Sequence, residues 1–304
     1  MKHNPRVTIA LVLFFFLAQL FGLLVVSRYI DYKATAETSE IAYKPLPYNL
    51  ERPEVENQST SFVYILVAIL FGTAILLLIA RTKKTILWKI MFFFSVFMTL
   101  SVSFAAFISP VMAGILAFIL SAWKLYRPNI FVQNFSEIFI YGGLAAIFVP
   151  MLNIFAAFML LIAISIYDYI AVYRTKHMVK LAQFQSESKV FAGLLISYGR
   201  EKSSASKQVK FSKTKPSQSQ SKKSVAVLGG GDIGFTLIFA GVVMKGLMLQ
   251  ETVIVGFLKT LIIPLIVSLA LLFLMIKGQK DKFYPAMPIL SLGCFIGYLI
   301  VWLL

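Results

Sequence analysis

Reactive side chains are scarce in this chain, and each shortage removes a class of chemistry. A single cysteine, Cys294, allows no internal disulfide and cannot by itself build a metal site. The only two histidines, His3 and His177, flank apolar runs rather than lie inside them. There is accordingly no His-Glu-x-x-His zinc motif, and no imidazole within a run to activate a serine. Acidic residues number 13 against 29 Lys and Arg, and charged residues of all kinds are 14% of the chain. A soluble chain of 304 residues would be far more polar. Period-two alternation is also missing, which argues against a membrane β-barrel.

What the chain has instead is apolar sequence, 59% of residues, with a mean hydropathy of +0.83. Runs of about 20 apolar residues, each long enough to cross a bilayer, recur along most of its length. The reading is an all-α polytopic membrane protein with nine transmembrane helices. The spans fall near 7–29, 60–80, 86–108, 110–126, 135–150, 152–173, 226–248, 252–276 and 285–304. Ser109-Pro110 and Pro150 divide two longer apolar stretches, because proline breaks a helix. The first run is too long for a signal-peptide core, and Arg28, Asp31 and Lys33 separate it from the weak Ala34-Thr35-Ala36 cleavage pattern. It reads as a retained first span.

The net charge of +16 sits in short loops between spans, which points to topology and anionic lipid rather than to nucleic acid. The basic segments 2–6, 81–84, 124–127, 174–224 and 277–282 all fall on one side if there are nine spans. The acidic loop 30–59 falls on the other. This places the N-terminus in the cytoplasm and the C-terminus outside the cell membrane. Residues 203–223 are mostly Ser, Lys and Gln, the composition of a flexible linker. The segment 190–196 before it is apolar but too short to span, and is expected on the membrane surface or near a site. The chain thus divides into a six-helix part (1–173), a basic, partly flexible cytoplasmic loop (174–224) and a three-helix part (225–304). No internal repeat is evident.

Two acids break the pattern of keeping charge in loops. Asp168 closes the run Leu160-Leu161-Ile162-Ala163-Ile164-Ser165-Ile166-Tyr167-Asp168, and Asp232 follows Leu228-Gly229-Gly230-Gly231. A carboxylate in the bilayer costs roughly 3 kcal/mol on the mildest scales. Asp168 lies five residues before Tyr173, where its span ends, or about 8 Å inside the cytoplasmic edge. Asp232 stands at a comparable depth from the start of the next span. Gly229, Gly230 and Gly231 loosen the backbone beside Asp232 and let neighbouring helices approach. Pro285-Ala286-Met287-Pro288 opens the last span from the same side. One proline suits a first helical turn, and a second leaves backbone groups open, which is tolerated only inside protein or along a wet cavity. Tyr167 is adjacent to Asp168 on a helix, so it need not face the second acid, and interhelical packing is an equal reading. Lys89, Lys124, Glu137 and Lys245 stand near span ends, where they snorkel or pair.

These residues resemble the presenilin and signal peptide peptidase family of GxGD intramembrane aspartyl proteases. Tyr167-Asp168 is similar to the family's YD motif, Gly229-Gly230-Gly231-Asp232 matches GxGD, and Pro285-Ala286-Met287 resembles PAL with Met for Leu. Pro288 and the cytoplasmic N-terminus are closer to presenilins than to signal peptide peptidases, and the compact chain resembles an archaeal presenilin homologue. The resemblance implies a presenilin-like fold of nine spans and an aspartic endopeptidase. Asp168 and Asp232 would share a proton, activate water and hydrolyse a peptide bond within a transmembrane-helix substrate, with no cofactor or metal. Tyr167, 229–231 and 285–288 would support the site and the unwound substrate backbone, by strand addition. The partners expected are membrane-protein substrates and lipids, with no accessory subunit required. A proton-coupled transporter or cation channel using the same acid pair is the alternative.

Overall fold

The computed structural model describes residues 5–38, 40–53, 55, 57–82, 85–175, 177–178, 181, 184–185, 188, 190–198, 224–278 and 284–304. The linker expected at 203–223 lies outside the described residues. The helices are α1 (Pro5–Tyr29), α2 (Tyr32–Thr38), α3 (Ser61–Thr82), α4 (Thr85–Ala105), α5 (Pro110–Tyr126), α6 (Ile130–Phe148) and α7 (Ile154–Tyr169). A hairpin of β1 (Gly193–Tyr198) and β2 (Ser224–Gly229) follows, and then α8 (Gly230–Gln250), α9 (Val253–Thr260), α10 (Ile262–Lys277) and α11 (Met287–Leu303).

Among the described residues, seven helical stretches are long and apolar enough to cross a membrane. The two shorter ones, α5 and α11, have 17 residues each, at the low end of the spanning range. In chain order these stretches follow the order of the expected spans. Both proline divisions appear as breaks. Pro110 opens α5 behind Ser109. Pro150 lies in a 3₁₀ turn, Val149–Met151, and the chain restarts when the Asn153 side chain accepts the Ala156 N–H at 2.8 Å. A further break separates α9 from α10. Pro264 has no N–H for the carbonyl four residues earlier, at Thr260, and the helix kinks there.

In lipid, helix association rests on close packing and interhelical hydrogen bonds. α1 is the central post, packed on α6, α8 and α10. Its Gln19 Nε2 donates to Ile233 O at 3.0 Å and to Thr236 Oγ1 at 2.7 Å on α8. α7, α8 and α11 pack on one another in all three pairings. Phe158 of α7 lies between Phe239 of α8, 5.1 Å away edge-on, and Phe295 of α11, stacked at 4.9 Å. The three spans that carry the unusual residues are therefore mutual neighbours.

Two expectations are corrected. Residues 226–229, assigned to the seventh span, belong to β2, and α8 starts at Gly230. β2 pairs antiparallel with β1, from Gly193↔Gly229 to Tyr198↔Ser224, so much of the apolar segment 190–196 is strand. Lys245, placed among the snorkelling residues, is instead buried and donates to Val149 O at 3.2 Å and to Leu152 O. It supplies protons to carbonyls released by the break at Pro150.

Candidate active site

Asp168 occupies the last turn of α7 and is only 6% exposed. Its Oδ2 accepts the Met287 N–H at 3.2 Å, and the Ala286 amide also donates to it. Met287 is the first residue of α11. The first N–H groups of a helix have no partner within it and carry partial positive charge, so a carboxylate is well matched there. The prolines sharpen the match. Pro285 and Pro288 have no N–H, so the quartet 285–288 has two backbone donors, and both reach Asp168. Three residues before Asp168, the hydroxyl of Ser165 meets that of Ser291 at 2.8 Å and ties α7 to α11 again.

Asp232 is the third residue of α8, and the strand-to-helix junction at Gly229 aims it. A Cβ at Gly229 would lie 3.4 Å from Asp232 Oδ2, so the carboxylate folds back over that glycine. Gly231 is exposed and Asp232 partly so, which leaves this side of the site open. The two carboxylates are near enough for the charge of Asp168 to act on Asp232. Thr236 Oγ1 donates to Asp232 O at 2.8 Å, which ties the first turn of α8 to the Gln19 link from α1.

Tyr167 does not join the acids by hydrogen bond. Its hydroxyl donates to Thr73 Oγ1 of α3 at 3.2 Å and lies 3.0 Å from Nε2 of His177, beyond the π turn Ile170–Arg174 that ends the span. His177 Nδ1 meets Thr175 Oγ1 at 2.6 Å. Burial pushes the imidazole of His177 below its ordinary pKa.

Sequence reasoning missed the support beneath the glycines. Gln133, Glu137 and Tyr141 repeat every four residues along one face of α6, and that spacing was the available signal. Glu137 Oε1 takes Lys124 Nζ at 2.5 Å and Gln133 Nε2 at 3.0 Å, and Oε2 takes the Tyr141 hydroxyl. Gln133 Nε2 also donates to Phe191 O at 2.9 Å and Gly193 O at 2.8 Å. Asn134 holds Leu195 of β1 at both polar atoms, donating to its carbonyl at 2.7 Å and accepting its N–H at 2.9 Å.

Two carboxylates from adjoining helices are thus gathered at helix ends within a polytopic helical protein. The backbone resembles two solved crystal forms of a presenilin family intramembrane aspartate protease. In the C222 form the TM-score is 0.59 at 18% identity, over 96% of this chain and 98% of that one. In the P2 form it is 0.60 at 19% identity, over 100% and 99%. No curated protein sequence matches the chain. The sequence model of the family described as signal-peptide peptidase, presenilin aspartyl protease matches residues 39–304. The chain belongs to that family, as an aspartic endopeptidase and an integral multi-pass membrane protein.

Proposed function

We propose that this protein hydrolyses peptide bonds within transmembrane helices of membrane-protein substrates, with Asp168 and Asp232 as the catalytic pair. The observation that carries the reading is the capture of Asp168 by the amides of Ala286 and Met287, beside an Asp232 that feels its charge. Two neighbouring carboxylates do not both ionise cheaply, so the pair holds one proton between them. Amide donors select a negative charge at Asp168, so that carboxylate takes the proton from the attacking water. Asp232 carries the shared proton and donates it to the scissile carbonyl oxygen. Asp168 then gives its new proton to the leaving nitrogen, and one diol hydroxyl returns a proton to Asp232 as the C–N bond breaks and the diol collapses to the acid.

A substrate helix has its carbonyls locked in i to i−4 bonds and must unwind before attack. Lipid offers the freed groups no partners. Side chains of α6 hold β1 at Gly193 and Leu195, on the side away from β2. Among the described residues no third strand covers β2. An unwound substrate strand added to the free edge of β2 runs straight toward Gly229 and Asp232. In this reading the parts 1–173 and 225–304 each bring one acid, and the second also brings 285–288. The basic loops set the pair toward the cytoplasmic side of the cell membrane, with the N-terminus inside.

The test is cleavage of a labelled single-span peptide by the purified chain, run beside Asp168→Asn and Asp232→Asn. Fragments from the parent, lost in both folded variants, are expected. Cleavage that persists in either variant refutes the pair. Ion flux without fragments supports the transporter reading.

A further inference from the structure

The buried pair Lys124–Glu137 has no part in the reaction above. Lys124 is 3% exposed and Glu137 1%, within the apolar body of the protein. A buried ion pair is no dependable source of stability, since an apolar replacement of similar volume often does as well. Its use is better sought in what the pair holds still. Both carboxylate oxygens of Glu137 are taken by neighbours. Lys124 and Gln133 share Oε1, and Tyr141 takes Oε2. Lys124 Nζ also reaches Ser136 Oγ at 3.0 Å, which in turn donates to Gln133 O at 2.9 Å. Tyr141 then stands directly under the glycine run, because a Cβ at Gly230 would be 2.6 Å from its Oη. Gln133 holds the opposite strand end at Gly193, whose φ of 143° only glycine adopts easily and whose partner in register is Gly229.

We infer that Glu137 and Tyr141 are positioning residues of the protease: Glu137 anchors the Tyr141 hydroxyl, and that hydroxyl sets the backbone of Gly230 and so the placement of Asp232. The inference rests on the reading of Asp232 as catalytic, but part of its test does not.

Three variants of the full chain in proteoliposomes test it. Tyr141→Phe removes one oxygen from the network. Lys124→Met with Glu137→Leu replaces the ion pair by apolar side chains and leaves no buried charge without a partner. Lys124→Met with Glu137→Gln also removes both charges but keeps an amide oxygen for Tyr141. The first two are expected to lower kcat about tenfold with KM within about twofold of the parent, as loss of reacting geometry does. The third recovers most of that loss. Adding Tyr141→Phe to the Leu variant changes kcat no further, because the anchor is already gone. Hydrogen exchange over 226–235 gives a readout that needs no substrate, and is expected to quicken in Tyr141→Phe. Unchanged exchange there overturns the inference whether or not the chain cleaves. So does a Tyr141→Phe variant with parental kcat, or equal kcat in the Leu and Gln variants. Faster exchange in a chain whose parent never cleaves overturns the protease reading and leaves the positioning role standing.

Discussion

One added carbon at Gly230 probes the geometry on which the site depends. Its Cβ would lie 2.6 Å from Tyr141 Oη, 3.2 Å from Cε1 and 3.3 Å from Cζ, where ordinary contact begins at 3.4 Å. Against the oxygen the shortfall is 3.4 less 2.6, or 0.8 Å. Tyr141 cannot readily give this distance. Its hydroxyl is bound to Glu137, which Lys124 and Gln133 hold in turn. The strand-to-helix junction moves instead and carries Asp232 with it. Overpacking of this kind costs about 1–3 kcal/mol of stability. Misplacing a reacting group by about 1 Å costs about 100-fold in rate. Gly230→Ala is therefore expected to fold with a Tm lowered by a few degrees and to lose about 30- to 100-fold in kcat. Gly231→Ala meets only the Phe235 ring, at 3.5 and 3.8 Å, and costs less stability.

The decisive measurement is the double variant Gly230→Ala with Tyr141→Phe, assayed for single-span peptide cleavage in proteoliposomes. Removing Oη leaves only the two ring carbons near the new methyl, contacts a few tenths of an ångström tight. The double variant is expected to cleave about as fast as Tyr141→Phe alone, and faster than Gly230→Ala. One harmful substitution thus suppresses another. If the double variant is slower than Gly230→Ala, or if Gly230→Ala keeps the parental rate, the steric argument is wrong.

Two further outcomes follow from other parts of the molecule. Lys245→Ala takes the donor from the carbonyls of Val149 and Leu152 and is expected to cost about 1–3 kcal/mol. Thermal unfolding should show a lower Tm while cleavage per folded molecule is unchanged; a Tm equal to the parent's removes this role. For His177 the folded pKa lies below the unfolded value of about 6.5. The unfolded chain therefore binds the proton first as pH falls, so the contribution to stability is full above about pH 6.5 and is lost as pH drops through the lower folded value. Tm measured from pH 8 to pH 5 should fall less in His177→Gln than in the parent, and equal slopes would exclude His177 as the titrating group.

The sequence makes the spans and the acid pair legible for a simple reason. A charge in an apolar run and a proline in a helix are both costly, and both show in one dimension. Asp168, Asp232, Pro110 and Pro150 stand out on those grounds. Pro264 carries the same signal for the kink at Thr260, but it stands inside a long apolar run, 252–276, that reads as one span. The hairpin is harder to read. Ala226, Val227 and Leu228 run on into the apolar sequence of α8, and a short apolar run at a membrane edge does not declare strand or helix by its period. What separates them in the structure is pairing with Ile196, Leu195 and Leu194, 30 or more residues away. Lys124, Glu137 and Lys245 look like residues at span ends. Spacing puts Gln133, Glu137 and Tyr141 on one face of α6, but which neighbouring element each side chain meets, and so its role, is not contained in it.

Both acids sit at helix ends, and the solvent gives a reason. In the middle of a membrane helix every backbone N–H and C=O is already paired, so a side chain there finds no backbone donor. Only an end offers free N–H groups, and an end inside a bilayer must be sheltered by protein. At the start of α11 prolines remove two of the four donors, and Asp168 takes the remaining two from the end of the adjoining α7. At the start of α8 the chain arrives as a strand, with Gly229 and Gly230 admitting Asp232 and Tyr141 close to the backbone. The same open backbone that gives the carboxylates their surroundings is what an unwound substrate needs to pair with. Changes that extend regular helix at either end, such as Pro285→Ala or Gly229→Ala, should therefore weaken substrate engagement and chemistry together. Cleavage kinetics in which kcat and KM both keep their parental values would show that helix ends and reaction are separable.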